Sequence, residues 1–129
     1  MTHAAQEALL LSRVARDSTS RLTWSECLAA CLRQIETPLV LYLQEDYFFD
    51  APVKREMIEE LAALMIAEPA IRHIGLTHFG AAGPFTDTDD PRLWRIEKRS
   101  PYRISTQAGL WRRDTLLSYL LPHENGWMF

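Results

Sequence analysis

The feature that most constrains this chain is a short apolar segment that ends abruptly in acidic residues. Residues 39–43 read Leu-Val-Leu-Tyr-Leu, and Gln44, Glu45 and Asp46 follow directly. A short apolar run without polar alternation, placed between two helical patterns, is typical of a strand buried on both faces of a parallel sheet. We therefore expect a central strand whose carboxyl end leads into a pair of carboxylates.

Helical patterns lie on both sides of this segment. Residues 24–35 repeat apolar side chains with the helical period, and Thr23 with Glu26 forms a capping box at the start. A second helix is predicted from about Ala51, with Pro52 in its first turn. The inner stripe of that helix is formed by Val53, Met57, Ile58, Leu61, Leu64 and Met65.

The other elements complete an alternating order of helices and strands. They are a short helix near residues 8–14, strands at 71–76 and 93–97, a polar loop at 79–91, a strand-like or irregular stretch at 104–111, and a last helix capped by Asp114 that runs through Leu121. This order predicts an α/β fold with a mixed, mostly parallel sheet flanked by helices. No linker or repeat divides the chain, so we expect one domain over residues 1–129.

Composition excludes several classes of function. The 14 Lys and Arg residues stand against 17 Asp and Glu residues, a formal net charge of −3. A general nucleic-acid binder, or a protein that binds anionic membranes, requires a basic surface instead. No apolar run reaches the roughly 18 residues of a transmembrane helix. No basic stretch precedes an apolar one at the start of the chain, so we expect neither a transmembrane segment nor a secretory signal.

The cysteines and histidines indicate the redox environment and argue against zinc. Cys27 and Cys31 lie one turn apart on one face of the first predicted helix, and two cysteines are too few for a disulfide framework. We expect a reduced pair packed in the core of a cytoplasmic protein. His73 and His78 are five residues apart in a strand-like stretch, which places them on opposite faces, so we expect no zinc site.

The acidic pair after the first strand is the strongest candidate for chemistry. Ligands of open α/β sheets bind beyond the carboxyl ends of the strands, where Glu45 and Asp46 would lie. Carboxylate oxygens suit Mg²⁺ or Mn²⁺, and such an ion would neutralise a diphosphate and stabilise it as a leaving group. The alternative is that Asp46 or Asp50 only caps the next helix and Glu45 is solvated. No glycine-rich phosphate loop is present, which disfavours a P-loop enzyme.

Two parts of the chain together resemble a known family. The segments that carry the likeness are Trp-Ser-Glu-Cys-Leu at 24–28, Leu-Val-Leu-Tyr-Leu-Gln-Glu-Asp-Tyr-Phe-Phe at 39–49, Ile-Ser-Thr-Gln-Ala-Gly-Leu-Trp-Arg-Arg-Asp at 104–114, Leu-Leu at 116–117 and Glu-Asn-Gly-Trp-Met-Phe at 124–129. They resemble the central and acceptor-side parts of bacterial GT-A-type glycosyltransferases. These segments lie between residues 24 and 129. The resemblance implies a Rossmann-like core in which an acidic DxD-type motif binds a divalent metal and the diphosphate of a nucleotide sugar.

The sequence departs from the family pattern in two places. A strict DxD motif would pair Asp46 with an aspartate where Gln44 stands, so the metal site rests on Glu45 and Asp46. A GT-A domain also has a nucleotide-binding βαβ half before its acidic strand, whereas the residues before 39 contain one good helix and no convincing strand. We therefore expect a partial GT-A-like domain that lacks this half. Its incomplete sheet would expose an edge that a second copy of the chain could cover as a homo-oligomer.

The resemblance implies roles for four further residues. Glu124 would be the general base that activates the acceptor hydroxyl, and Gln107, Trp111 and Trp127 would line the sugar or acceptor site. The alternatives remain open, because a tryptophan is more often a core residue and Glu124 could be an ordinary loop carboxylate. A basic stretch could contact a diphosphate or phosphorylated acceptor, or could simply be solvated. It comprises Arg95, Lys98, Arg99 and Arg103.

The leading hypothesis is therefore a glycosyltransferase, or a fragment of one. It would transfer a sugar from a nucleotide-diphosphate sugar to a glycan or another hydroxyl acceptor, with Mg²⁺ or Mn²⁺ as cofactor and no nucleic acid as partner. The alternative from another class is a catalytically inactive α/β interaction module derived from a truncated transferase.

Overall fold

Three helices and five strands make up the described part of the chain. The computed structural model describes residues 21–44, 48–77, 82–126 and 129, so the helix predicted near residues 8–14 lies outside the described residues. Along the chain the elements are α1 (Trp24–Leu32), β1 (Leu39–Tyr42), α2 (Arg55–Ala67), β2 (His73–Gly75), β3 (Phe85–Asp87), β4 (Trp94–Ile96), β5 (Gly109–Arg112) and α3 (Arg113–Tyr119). They belong to two compact units. The sheet unit is Leu39–Trp111, and the helical unit contains α1 and α3.

The strands form two small sheets, and the prediction of a mostly parallel, Rossmann-like GT-A sheet is wrong. One sheet has three strands in the order β1–β5–β2, and the other pairs β3 with β4. β2 and β5 run antiparallel, with His73 opposite Trp111 and Gly75 opposite Gly109. β3 and β4 are antiparallel as well. The chain is therefore a small domain of three helices with antiparallel sheets in its described part.

The prediction of a parallel sheet was based on the assumption that β1 is buried on both faces, and β1 is partly exposed. The apolar segment forms a strand as predicted, but Leu41 is 44% exposed and Leu43, just after the strand, is 43% exposed. The buried strand is β5, which lies between β1 and β2 and whose Leu110 and Trp111 are 3% and 1% exposed. A short apolar run does not distinguish a doubly covered strand from an edge strand, because both are rich in branched and aromatic side chains.

The core of the sheet unit lies between α2 and the three-stranded sheet. Leu61 and Met65 of α2 pack with Ile74 of β2 and Leu110 of β5. Both α2 residues belong to the predicted inner stripe, but the prediction is wrong for Val53 and Met57, which are 51% and 42% exposed because the helix begins only at Arg55. Around these four pack the half-buried side chains of Leu39, Ile58, Ala62, Ile71, Leu76 and Leu93. α2 begins at Arg55 rather than near residue 51, and no side chain caps its first turn.

The helical unit joins α1 to α3. The predicted capping box is confirmed, because Thr23 Oγ1 accepts from the Glu26 backbone N–H at 3.3 Å and Glu26 Oε2 accepts from the Thr23 N–H at 2.8 Å. Leu32 of α1 and Leu116 of α3 are almost fully buried, and α1 contacts α3. Cys27 and Cys31 are free thiols, and burial raises the pKa of Cys31, which favours its protonated form.

Further local predictions differ from the observed elements, and the first helix ends at Leu32 although the pattern predicts it over residues 24–35. α3 begins at Arg113, so Asp114 lies inside its first turn and does not cap the helix. A carboxylate at this position is stabilised by the helix dipole. The loop predicted over residues 79–91 contains β3, a three-residue strand whose side chains are all exposed. A strand of this length has no measurable alternation, so the sequence offers no signal for it. No helix within the described ranges is long and apolar enough to cross a membrane.

The packing of α2 leads to a test with two methionines of the same helix. Met65 is fully buried, whereas Met57 is 42% exposed. We expect Met65→Ala to lower the free energy of unfolding by about 2–5 kcal/mol, because the cavity left behind adds to the lost burial. The matched Met57→Ala change should cost less than about 1 kcal/mol. Urea unfolding followed by circular dichroism measures both, and equal losses would contradict the assigned core.

Candidate functional site

Five polar side chains gather at one end of the three-stranded sheet, and we call them the polar cluster. Gln44 follows β1, Thr77 follows β2, and Ser105, Thr106 and Gln107 precede β5. Because β2 and β5 are antiparallel, the carboxyl end of β2 and the amino end of β5 lie at the same end of the sheet. Short polar segments beyond strand ends are where a sheet scaffold positions ligand-binding groups.

Hydrogen bonds connect the members of the polar cluster. Gln44 Nε2 donates to Thr106 Oγ1 at 3.0 Å, and Thr77 Oγ1 donates to Gln107 Oε1 at 3.1 Å. The Gln107 backbone N–H donates to Ser105 Oγ at 3.1 Å. Thr106 is only 6% exposed, whereas Gln44 and Gln107 are half-buried. The arrangement holds two amide side chains in defined orientations while leaving each partly open to solvent.

Each amide in the polar cluster keeps one group for a ligand. Gln44 uses its Nε2 toward Thr106, and its Oε1 accepts no hydrogen bond from the described residues. Gln107 uses its Oε1 toward Thr77, and its Nε2 donates to no acceptor within the described ranges. An amide oxygen is a ligand for hard cations, and an amide N–H₂ donates to hydroxyl or phosphoryl oxygens. The polar cluster therefore presents an acceptor and a donor without carrying charge.

Three of the predicted site residues lie outside the described residues: Glu45, Asp46 and Trp127. Gln44, which directly precedes Glu45 in the sequence, is the last described residue before the acidic pair. In the part of the chain that the structure describes, no three His, Cys, Asp or Glu side chains come together as a group that could hold a metal ion.

Glu124 belongs to the helical unit, where it closes a turn. Its carboxylate Oε2 accepts from the Leu121 backbone N–H at 3.0 Å, and its backbone carbonyl accepts from the Ser25 N–H at 3.3 Å. The side chain is half-buried. One carboxylate oxygen is thus engaged in holding the turn, and the other accepts no hydrogen bond from the described residues.

Trp111 is buried, on the face of β5 opposite Leu110, and is not on a surface. It is 1% exposed, and its ring stacks on that of His73 with centroids 3.9 Å apart and 23° between the planes. A sugar would need an exposed face of the indole for stacking. In this structure Trp111 supports β5, which carries the polar cluster at its amino end.

His73 is the perturbed titratable group that sequence reasoning missed. Its Nε2 is buried without a hydrogen-bond partner among the described residues, and burial lowers the pKa of His73 from its ordinary value near 6.5 to about 4. Gly109 explains the close packing, since a Cβ there would lie 2.6 Å from His73 Nε2. A glycine inside a strand pattern is the signal that could have indicated this approach.

Comparisons with known proteins give no further constraint on the site. The chain has no significant match among protein-family models, curated proteins or solved structures.

Two glycines that face each other across β2 and β5 test the packing around His73. A Cβ at Gly109 would also lie 3.3 Å from the Ile74 backbone oxygen, and the stacked imidazole has little room to move. We expect Gly109→Ala to lower the free energy of unfolding by about 1–3 kcal/mol through overpacking. The matched Gly75→Ala change meets its nearest atom at 3.9 Å and should be neutral or slightly stabilising. Thermal unfolding compares the two, and similar losses would contradict the assigned register.

The buried imidazole leads to a pH prediction. The pKa of His73 is lower in the folded than in the unfolded chain, so the unfolded chain binds more protons between pH 6.5 and 4. The associated stability is therefore complete above pH 6.5 and is lost as the pH falls toward 4, with a maximum of about 3 kcal/mol. His73→Phe keeps a ring against Trp111 and removes the titration. We expect a flatter stability profile between pH 7 and 4 for this variant in urea unfolding, and an unchanged slope would contradict the burial of His73.

Proposed function

We propose that the chain is a nucleotide-sugar-dependent glycosyltransferase, or a fragment of one, which uses the sheet end with the polar cluster to bind its donor. The proposal does not require a Rossmann-like sheet. It requires that the acidic segment after β1 and the segment before β5 form one binding site for a sugar diphosphate.

The observation that carries the proposal is the hydrogen bond between Gln44 and Thr106. These residues are 62 positions apart and belong to the two stretches on which the family resemblance rests, residues 39–49 and 104–114. Strand β1 lies in the first of these stretches and β5 in the second, and the two strands are neighbours in the sheet. Two stretches that resemble parts of one kind of site are thus adjacent, as a shared site requires.

The donor set of the acidic segment fits a divalent cation. Gln44 contributes an amide oxygen that accepts no hydrogen bond from the described residues, and Glu45 and Asp46 follow it directly in the sequence. Oxygen ligands of this kind suit Mg²⁺ and Mn²⁺, which commonly take one or two carboxylates together with substrate phosphates. When bound, the ion would neutralise the charge that develops on the diphosphate leaving group.

Two further residues, Gln107 and Glu124, have roles in the proposed site. The Gln107 Nε2 is oriented by the Thr77 hydrogen bond, so it can donate to a sugar hydroxyl or to a phosphoryl oxygen without further ordering. The family resemblance alone gives Glu124, which belongs to the helical unit, the role of general base toward the acceptor hydroxyl. The acceptor would be a glycan or another hydroxyl compound.

Calorimetry with nucleotide sugars tests the proposal directly. The full chain is titrated with UDP-, GDP- and dTDP-linked sugars in the presence of Mn²⁺, and we expect heat of binding with at least one of them. Asp46→Asn should abolish the metal-dependent part of this binding and leave the melting temperature nearly unchanged, because an amide is a weaker ligand than a carboxylate. Gln107→Ala should weaken binding about tenfold, the loss expected for one hydrogen bond to a charged oxygen.

A matched control separates this site from a general effect of charge. Asp89→Asn removes an exposed carboxylate elsewhere in the sheet unit and should leave binding unchanged. A folded sample that gives no heat with any nucleotide sugar would overturn the proposal and favour a catalytically inactive interaction module. An Asp46→Asn variant that melts much lower and still binds would assign Asp46 a structural role instead of a ligand role.

A further inference from the structure

The second candidate site is an open groove along the β3–β4 hairpin, and its lining is unusually basic. The groove encloses about 970 Å³. Its lining includes Phe85 and Ile96 beside four cations, which are Arg95, Lys98, Arg99 and Arg103. Four cations against the single carboxylate of Glu97 leave three positive charges in the groove, although the whole chain has a net charge of −3. The positive charge is therefore local.

The four cations of the groove have no carboxylate partner among the described residues, in contrast to a neighbouring arginine of the same hairpin. Arg92, in the turn between β3 and β4, binds the carboxylates of Asp90 and Glu60. Among the described residues, none of the groove cations Arg95, Lys98, Arg99 and Arg103 has a carboxylate partner. The cations that line this surface are therefore available to hydrogen-bond with the oxygens of a bound anion.

The backbone holds the cationic turn against the hairpin. The Pro84 carbonyl accepts from the Glu97 backbone N–H at 3.2 Å and from Ser100 Oγ at 3.2 Å. Ser100 is 7% exposed, so this anchor is protected from water. The turn that presents Lys98 and Arg99 is thereby tied to the start of β3. A ligand would meet cations whose backbone positions are already set, which lowers the entropy lost on binding.

An apolar wall stands beside the cations. Phe85 and Ile96 are cross-strand partners and both line the groove. Trp94, which is 68% exposed, lies next to Phe85 with ring centroids 6.5 Å apart. The groove thus combines a multiply charged cationic side with an aromatic and aliphatic side. An anion that carries an organic substituent matches both sides.

We propose that this groove binds the diphosphate group of an organic ligand. Three positive charges match the two to three negative charges of a diphosphate, and three of the four cations are arginines, whose guanidinium forks bind phosphoryl oxygens in pairs. The substituent on the diphosphate would lie against Phe85 and Ile96. The inference is independent of the proposed transferase function, because it involves neither a metal nor the polar cluster.

Titration with inorganic pyrophosphate, in the presence of EDTA and at low salt, tests the proposal. We expect saturable binding that each of Arg95→Gln and Arg99→Gln weakens about tenfold, the loss expected for one charge-assisted contact. Arg99→Lys keeps the charge but loses the fork, so it should recover only part of the affinity. The matched control is Arg72→Gln, which removes an exposed arginine of the same unit outside the groove and should have no effect.

Further ligands separate the possible sources of the diphosphate. UDP and geranyl diphosphate carry a nucleoside and a hydrocarbon chain respectively, and the one that binds more tightly than pyrophosphate identifies the substituent. If neither does, the diphosphate group alone is recognised. Citrate, a tricarboxylate, serves as the anion control and should bind at least about tenfold more weakly. Three results would overturn the proposal: citrate binding as tightly as pyrophosphate, no binding of pyrophosphate, or Arg→Gln variants that bind pyrophosphate as tightly as the unchanged chain does.

Discussion

The position of β5 between β1 and β2 is the constraint on which the sheet unit depends. Consecutive residues of a strand point to opposite faces, so Leu110 and Trp111 cover different sides of the sheet. Leu110 packs with Leu61 and Met65 of α2, and Trp111 stacks on His73 of the neighbouring strand. The helix α2 thus covers the Leu110 face of the strand, and the opposite face carries the stacked pair of Trp111 and His73.

The same arrangement sets the location of the polar cluster. Because β5 runs antiparallel to β2, the residues that precede β5 are adjacent to those that follow β2. The Leu76 backbone N–H donates to the Ala108 carbonyl at 2.9 Å, which continues the pairing beyond the strands, and the bond from Thr77 to Gln107 lies one step further. The orientation of Gln107 is therefore a consequence of strand pairing and does not require a separate binding loop.

The sequence predicts those structural features that depend only on residues close together in the chain. The capping box of Thr23 and Glu26 and the buried positions Leu61 and Met65 of α2 both depend on residues within a few positions of one another. Strand direction was not predictable, because it is decided by pairings between segments far apart in the chain. The apolar run at 39–43 correctly indicates a strand but contains nothing about which neighbour it has or how much of it is covered.

For the candidate site, too, the sequence predicts single residues but not the long-range contacts between them. Gln107 was predicted through the family resemblance, but its partner Thr77 is 30 positions away, and Gln44 reaches Thr106 across 62 positions. No local pattern contains these hydrogen bonds. His73 was considered only as a metal ligand, since its low pKa results from burial against a tryptophan that follows 38 positions later. The sequence could supply residue types for the site, whereas the pairing of strands supplies the geometry.

Charge pairing, rather than net charge, decides what the surface of the sheet unit can bind. The hydrogen bonds from Arg92 lower the pKa of Asp90 to about 2, so Asp90 stays ionised near neutral pH and remains paired with Arg92. The Asp90 carboxylate is thus paired with Arg92, which does not line the groove. At physiological ionic strength, charges more than about 8 Å away are largely screened. An acidic chain can therefore contain a compact cationic groove for a small polyanion, although its net charge opposes binding to an extended one such as nucleic acid.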